Sequence, residues 1–254
     1  MNTTQMLAEP MSIARTAPGQ AVESPAASLD KNNPSFKNAT RLQKSITAAP
    51  ERKVLLWLAA HMPARINSDH LTLLGFLSIC FAGASYALAR WNSLGLLLAT
   101  IFLALNWFGD SLDGTLARVR NCQRPRYGFY VDHMIDSVGA IFLMGGLASS
   151  GYIDWRIATG MLVAFLLLSI ETYLATYTLG IFRLSFGKLG PTEIRILLAL
   201  GNFALWLRPD AKVPGFSLRV FDFDGLVAIF GMLLMFAAAA IIHTRTLYQQ
   251  ETQR

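Results

Sequence analysis

Residues 110–136 read DSLDGTLARVRNCQRPRYGFYVDHMID, a short polar stretch that joins two long apolar ones. Asp110 and Asp113 are three positions apart and Asp132 and Asp136 four apart, the spacings that put side chains on one face of an α-helix. The stretch therefore reads as the end of one helix, a turn and the start of the next, with two carboxylates from each helix able to face one another. Carboxylates at the boundary of apolar segments are costly unless a cation compensates them. Four of them together point to bound metal and to chemistry rather than to solubility.

Outward from this stretch, the chain has the composition of a membrane protein. Of its 254 residues 53% are hydrophobic and only 15% charged, too apolar for a soluble domain of that length. Apolar segments at about 70–90, 94–116, 131–150, 156–180, 191–207 and 223–244 each approach the roughly 20 residues that cross a bilayer, the fifth being short. The expected fold is an all-α integral membrane protein with six transmembrane helices. A preceding amphipathic helix lies in the interface: Val54, Leu55, Leu58 and Met62 fall near one face, with Arg52, Lys53 and Trp57 at its edge. Residues 1–49, rich in Ser, Thr, Ala, Pro and Asn without a sustained period, are expected to form a disordered tail before one membrane domain over 50–254. The first twenty residues lack a continuous apolar core, so no cleaved secretory signal is expected.

The net charge of +6 does not point to nucleic acid, because the basic residues sit beside apolar spans, where they set orientation and meet anionic headgroups of membrane lipids. Arg118, Arg120, Arg124 and Arg126 after the second span, with Arg52, Lys53 and Arg65 before the first, place both regions on the cytoplasmic side. Alternation then puts Arg183, Lys188, Arg195 and both termini inside as well. The loop with Arg208, Lys212 and Arg219 falls outside and dissents. Cys80 and Cys122 are too few and too differently placed for a disulfide framework. A homodimer through a membrane face is compatible with this composition, and no GxxxG-like surface marks one.

Four oxygen-bearing side chains without an accompanying Cys select Mg²⁺, Mn²⁺ or Ca²⁺ over zinc, and two divalent ions would match the charge of Asp110, Asp113, Asp132 and Asp136. Gly114 and Ala117 leave room for a diphosphate near the backbone, and Arg118 offers a forked donor to phosphate. Carboxylates, metal, space and a guanidinium together describe phosphoryl transfer. The rival reading is a divalent-cation transporter or channel using the same acidic cluster. Against it, the carboxylates gather at one edge and are interleaved with Gly, Ala and Arg, whereas a permeation path needs polar groups through the full thickness.

The pattern Asp-x-x-Asp-Gly-x-x-Ala-Arg, a spacer, then Gly-x-x-x-Asp-x-x-x-Asp resembles the signature of the CDP-alcohol phosphotransferase family. All eight fixed positions are present: Asp110, Asp113, Gly114, Ala117, Arg118, Gly128, Asp132 and Asp136. The resemblance extends to the six-span arrangement and the interfacial helix, not to the first fifty or so residues. It implies that Asp110, Asp113 and Asp132 chiefly hold the Mg²⁺ or Mn²⁺ ions. Asp136 would serve as the base beside them, and Gly114, Ala117 and Arg118 would line the CDP site. The implied reaction is attack by an acceptor alcohol on the phosphorus distal to cytidine of a CDP-alcohol donor, releasing CMP.

Secondary candidates lie outside the signature. Asn67, Thr72 and Gly75 are similar to the family's entry into the first span, although Ser68 or Asp69 capping the helix and Gly75 allowing close packing would explain them equally. Asn106, one turn before Asp110, is placed to orient it, to touch cytidine or to join two spans. Glu171 is an ionisable group inside an apolar stretch and so a functional candidate. Together with Gly190-Pro191-Thr192-Glu193, it resembles the choline and ethanolamine phosphotransferase branch. That likeness implies Glu171 and Glu193 near the acceptor or amino-alcohol head and Arg195 near phosphate, the plainer alternative being a salt bridge from Glu193 to a loop Arg. His61, His133 and His243 lack a second metal-ligand partner at usable spacing and are expected at the interface or behind the site.

Overall fold

The structure is a computed structural model that describes residues 40–42, 47–183, 190–208 and 219–252. Among the described residues seven helices follow one another: α1 (Ala48–His61), α2 (Ser68–Ala89), α3 (Leu94–Val119), α4 (Pro125–Ser149), α5 (Trp155–Leu179), α6 (Pro191–Leu207) and α7 (Val220–Thr252). Two three-residue strands, β1 (Thr40–Leu42) and β2 (Ile181–Arg183), pair in parallel with Arg41 opposite Phe182. Most of the 1–49 stretch expected as a tail lies outside the described residues. Its described part already contains β1 and the start of α1.

Five helices, α2 to α5 and α7, are long and apolar enough to cross a membrane, which makes this a multi-pass membrane protein. Five of the six expected spans correspond to these helices; the remaining one falls on α6, which has 17 residues. At 1.5 Å per residue it is roughly 25 Å long, short of a hydrocarbon core of about 30 Å. Large apolar side chains such as Phe81, Ile101, Leu174 and Phe230 are exposed on the spans, as a lipid-facing surface requires.

The helix boundaries follow from local chemistry. Asn67 caps α2: its Oδ1 accepts the His70 N–H at 3.0 Å while the His70 ring accepts the Asn67 N–H at 3.3 Å. The cap is thus Asn67, not Ser68 or Asp69. The polar connection after α3 is shorter than the expected gap between spans. Asn121 takes a left-handed φ of 52°, which Asn tolerates well, and Pro125 occupies the first turn of α4. Gly128, Asp132 and Asp136 therefore all lie on α4.

Helix α2 packs against both α3 and α4. Glycines permit the closest approaches. A Cβ on Gly109 of α3 would come within 2.6 Å of the Gly75 N and the Leu71 O of α2, and one on Gly83 or Gly146 would collide with the facing backbone of α4 or α2. The main core lies around Tyr86, Leu96, Ala99, Leu103, Leu147 and Ala158. Inside it Tyr86 donates to Asn202 Oδ1 at 2.9 Å and Asn202 donates to Thr100 Oγ1 at 3.1 Å, so these polar groups satisfy one another away from water. A second cluster, Leu55, Ala59, Leu71, Leu112 and Leu116, joins α1 to α2 and α3. Of the apolar α1 residues expected on one face, Leu55 is buried here, whereas Val54 is exposed together with Leu56 and Trp57.

Candidate active site

The turn between α3 and α4 and the first turn of α2 surround a cleft. Asp113, Gly114 and Ala117 line it from α3, Gly128 and Asp132 from α4, and Ser68, Asp69 and Thr72 from α2. Five of the eight signature positions thus meet at one opening. Space is open at two of its glycines: a Cβ on Gly128 would meet nothing within 4 Å, and one on Gly114 would meet only the Arg118 guanidinium at 3.5 Å. Arg118 reaches back over its own helix and donates to Thr115 Oγ1 at 2.9 Å. Arg124 pairs with Asp69 at the rim.

The four carboxylates have different surroundings. Asp113 is buried, with Thr72 Oγ1 donating to its Oδ2 at 2.6 Å, the Gly114 N–H donating to its Oδ1 and Ser68 Oγ donating to its carbonyl at 2.9 Å. Thr72 is therefore a support for Asp113 on the cleft wall. Asp110 is partly exposed and forms an ion pair with Arg195 of α6 at 2.6 Å. Asp132 and Asp136, one turn apart on α4, are exposed. The charges of Asp110, Asp113, Asp132 and Arg195 all act on Asp136.

This donor set is of the kind that hard divalent cations take. Among the described residues, however, no three His, Cys, Asp or Glu side chains are drawn together closely enough to hold an ion. Arg195 brings positive charge to this cluster. Its Nε also donates to Asn106 Oδ1 at 2.9 Å, and Asn106 Nδ2 donates to the Gly75 carbonyl at 2.9 Å. Asn106 thus joins α2, α3 and α6 while it orients the arginine that faces Asp110.

The remaining candidates are placed elsewhere. Glu193 does not meet a loop arginine in the described residues. Its Oε1 accepts from the Thr47 N–H and Oγ1, both at 2.8 Å, and its Oε2 accepts the Gly190 N–H at 2.9 Å, so it caps α6 and ties it to the start of α1. Glu171 of α5 meets His243 of α7 at 2.5 Å, with Glu171 buried and His243 partly buried. This pair had no sequence signal beyond the intramembrane glutamate itself. Behind Asp136, His133 and Tyr173 stand edge to face with ring centroids 4.5 Å apart.

One acidic residue without any motif emerges only in three dimensions. Glu51 of α1 accepts from Trp107 Nε1 at 2.7 Å and Ser111 Oγ at 3.3 Å on α3, and from Thr192 Oγ1 at 2.8 Å on α6. Its heptad-free neighbourhood gives no reason to single it out from Arg52 or Lys53 as one more interfacial charge.

The chain is similar in sequence to known proteins. The chain is 34% identical over 113 residues to the archaetidylinositol phosphate synthase of Pyrococcus horikoshii, covering 44% of this chain and 53% of that protein. It is 33% identical over 103 residues to the protein of the same name from Methanothermobacter thermautotrophicus, covering 41% and 47%. The matched region thus spans about half the length of each relative. The sequence model of one family matches residues 66–243, from just before α2 to the Glu171 partner His243 on α7, and takes in the whole carboxylate signature: the chain belongs to the CDP-alcohol phosphatidyltransferase family.

Proposed function

We propose that this protein transfers a substituted phosphate group from a CDP-alcohol to an acceptor alcohol in phospholipid synthesis, with release of CMP. The observation that carries the proposal is the cleft between α2, α3 and α4, lined by five signature residues and with open space at Gly114 and Gly128. In this reading the cleft takes the CDP group, with Gly114, Ala117 and Gly128 against the diphosphate and Arg118 released from Thr115 to bind a phosphate oxygen.

Asp110, Asp113, Asp132 and Asp136 are the residues that would hold Mg²⁺ or Mn²⁺. The ions would neutralise diphosphate charge as it shifts towards the leaving group. The acceptor oxygen forms a bond to the phosphorus distal to cytidine, the bond from that phosphorus to the bridging oxygen breaks, and CMP departs. Asp136 takes the hydroxyl proton. It suits that role because it is exposed, whereas Asp113 is already committed to Thr72 and Gly114.

The name of the two relatives favours a CDP-linked lipid as donor and an inositol phosphate as acceptor over a CDP-amino-alcohol and diacylglycerol. Exposed Val54, Leu56 and Trp57 suit α1 for the membrane interface, with the cleft and both termini on the cytoplasmic side and α6 as a sixth, short crossing. The cation-transporter alternative gains nothing from the interior, where Tyr86, Asn202 and Thr100 are engaged with one another. The direct test is product analysis with labelled donors. A CDP-lipid plus an inositol phosphate is expected to give a phosphorylated lipid and CMP. Product only from a CDP-amino-alcohol and diacylglycerol would reverse the substrate assignment.

A further inference from the structure

Two helix turns carry the Asp110–Arg195 ion pair, and both are gripped a second time by one residue of α1. Trp107 and Ser111 flank Asp110 on α3, and Thr192 lies one turn before Arg195 on α6. All three donate to the same oxygen, Oε1 of Glu51. The other oxygen, Oε2, is buried and has no hydrogen-bond partner. The carboxylate is therefore held from one side only, and losing a donor would leave it still less satisfied. Thr47, four residues earlier, holds Glu193 between Thr192 and Arg195. The first turn of α6 is thus fixed at two adjacent positions by α1 and its cap, and Arg195, two residues after this double anchor, is turned towards Asp110.

We propose that Glu51 is a positioning residue: by gathering Trp107 and Ser111 of α3 and Thr192 of α6 on one carboxylate oxygen, it sets where Arg195 meets Asp110 and Asn106. The proposal rests on the transferase reading for its effect on turnover. Arg195 brings its positive charge to Asp110 in the carboxylate cluster, so a shift of α6 by a fraction of an ångström alters the charge balance there and the placement of any phosphate it contacts. Through α1 the site is also tied to the element that carries exposed Val54, Leu56 and Trp57.

The test is a double-mutant cycle on the full chain in lipid nanodiscs, read by CMP release and by hydrogen exchange over residues 191–196. Thr192→Val removes only the α6 arm of the junction and leaves Glu51 bonded to α3. It is expected to lower kcat/KM about tenfold, and to have little further effect in an Arg195→Ala background. Glu51→Ala should lower kcat/KM by about 10- to 100-fold and accelerate exchange over 191–196, while Glu51→Gln, which keeps an accepting oxygen, should restore most of both. Independent, multiplicative losses from Thr192→Val and Arg195→Ala would overturn the proposal. So would wild-type turnover and exchange in Glu51→Ala. If the wild-type chain releases no CMP from any CDP-alcohol, the activity reading fails separately, and exchange alone decides the junction: faster in Glu51→Ala if Glu51 places α6, unchanged if it does not.

Discussion

Neighbouring acidic residues in this protein differ mainly in what compensates them. Asp113 sits on the cleft wall with one hydrogen bond to each carboxylate oxygen, from Thr72 and Gly114, Asp110 is paired with Arg195, and Asp136 is left accessible. That exposure makes Asp136 the group best suited to moving a proton. Asp136→Asn is accordingly expected to reduce CMP release by at least about 100-fold while CDP-alcohol binding, followed by equilibrium dialysis, changes little. Near-normal turnover would remove Asp136 as the base. Thr72→Val strips one of the donors from buried Asp113, an effect of about 1–3 kcal/mol on stability, read as a lower thermal unfolding midpoint in detergent. The signature positions were legible in the sequence because helical spacing survives folding unchanged. Asn106, Arg195 and Glu51 were legible only in part or not at all, because their partners lie 31 to 141 residues away and no local pattern encodes that pairing.

At the scale of the elements, hydrophobic runs announced the five helices long and apolar enough to cross a membrane, since burial in lipid needs length and apolarity and both can be read directly. Their ends were less legible. Helix α4 begins at Pro125 rather than near 131, because a left-handed Asn121 and a proline at the first turn let the chain reverse within five residues. The packing of α2 on α3 depends on an absence of side chain, which periodicity does not reveal. Gly109→Ala is expected to push α2 from α3, at a cost of about 1–3 kcal/mol and with loss of activity, because the new methyl would meet backbone atoms that cannot turn away. The start of α1 matters for a different reason. Deleting residues 1–36 should leave activity near wild type, whereas deleting residues 1–49 removes β1 and the Thr47 hydrogen bonds to Glu193 and should lower it several-fold, about 1 kcal/mol for a lost hydrogen bond. CMP release from the two truncations distinguishes these outcomes; equal activity in both would show that the α1–α6 tie is dispensable.

As a whole molecule the protein concentrates its unusual chemistry at one end of an apolar bundle. At that end the first turns of α2, α4 and α6 and the last turns of α3 meet, with α1 packed across α2 and α3. Membership of the CDP-alcohol phosphatidyltransferase family and the open, glycine-lined cleft support the same chemistry from independent directions. The most direct test is a single preparation of proteoliposomes in which CMP release and divalent-cation flux are followed together, with a CDP-lipid as donor and an inositol phosphate as acceptor. The account predicts CMP release that requires Mg²⁺ or Mn²⁺, stops on chelation and is lost in Asp136→Asn, without protein-dependent cation flux. Cation flux without CMP from any CDP-alcohol would contradict it.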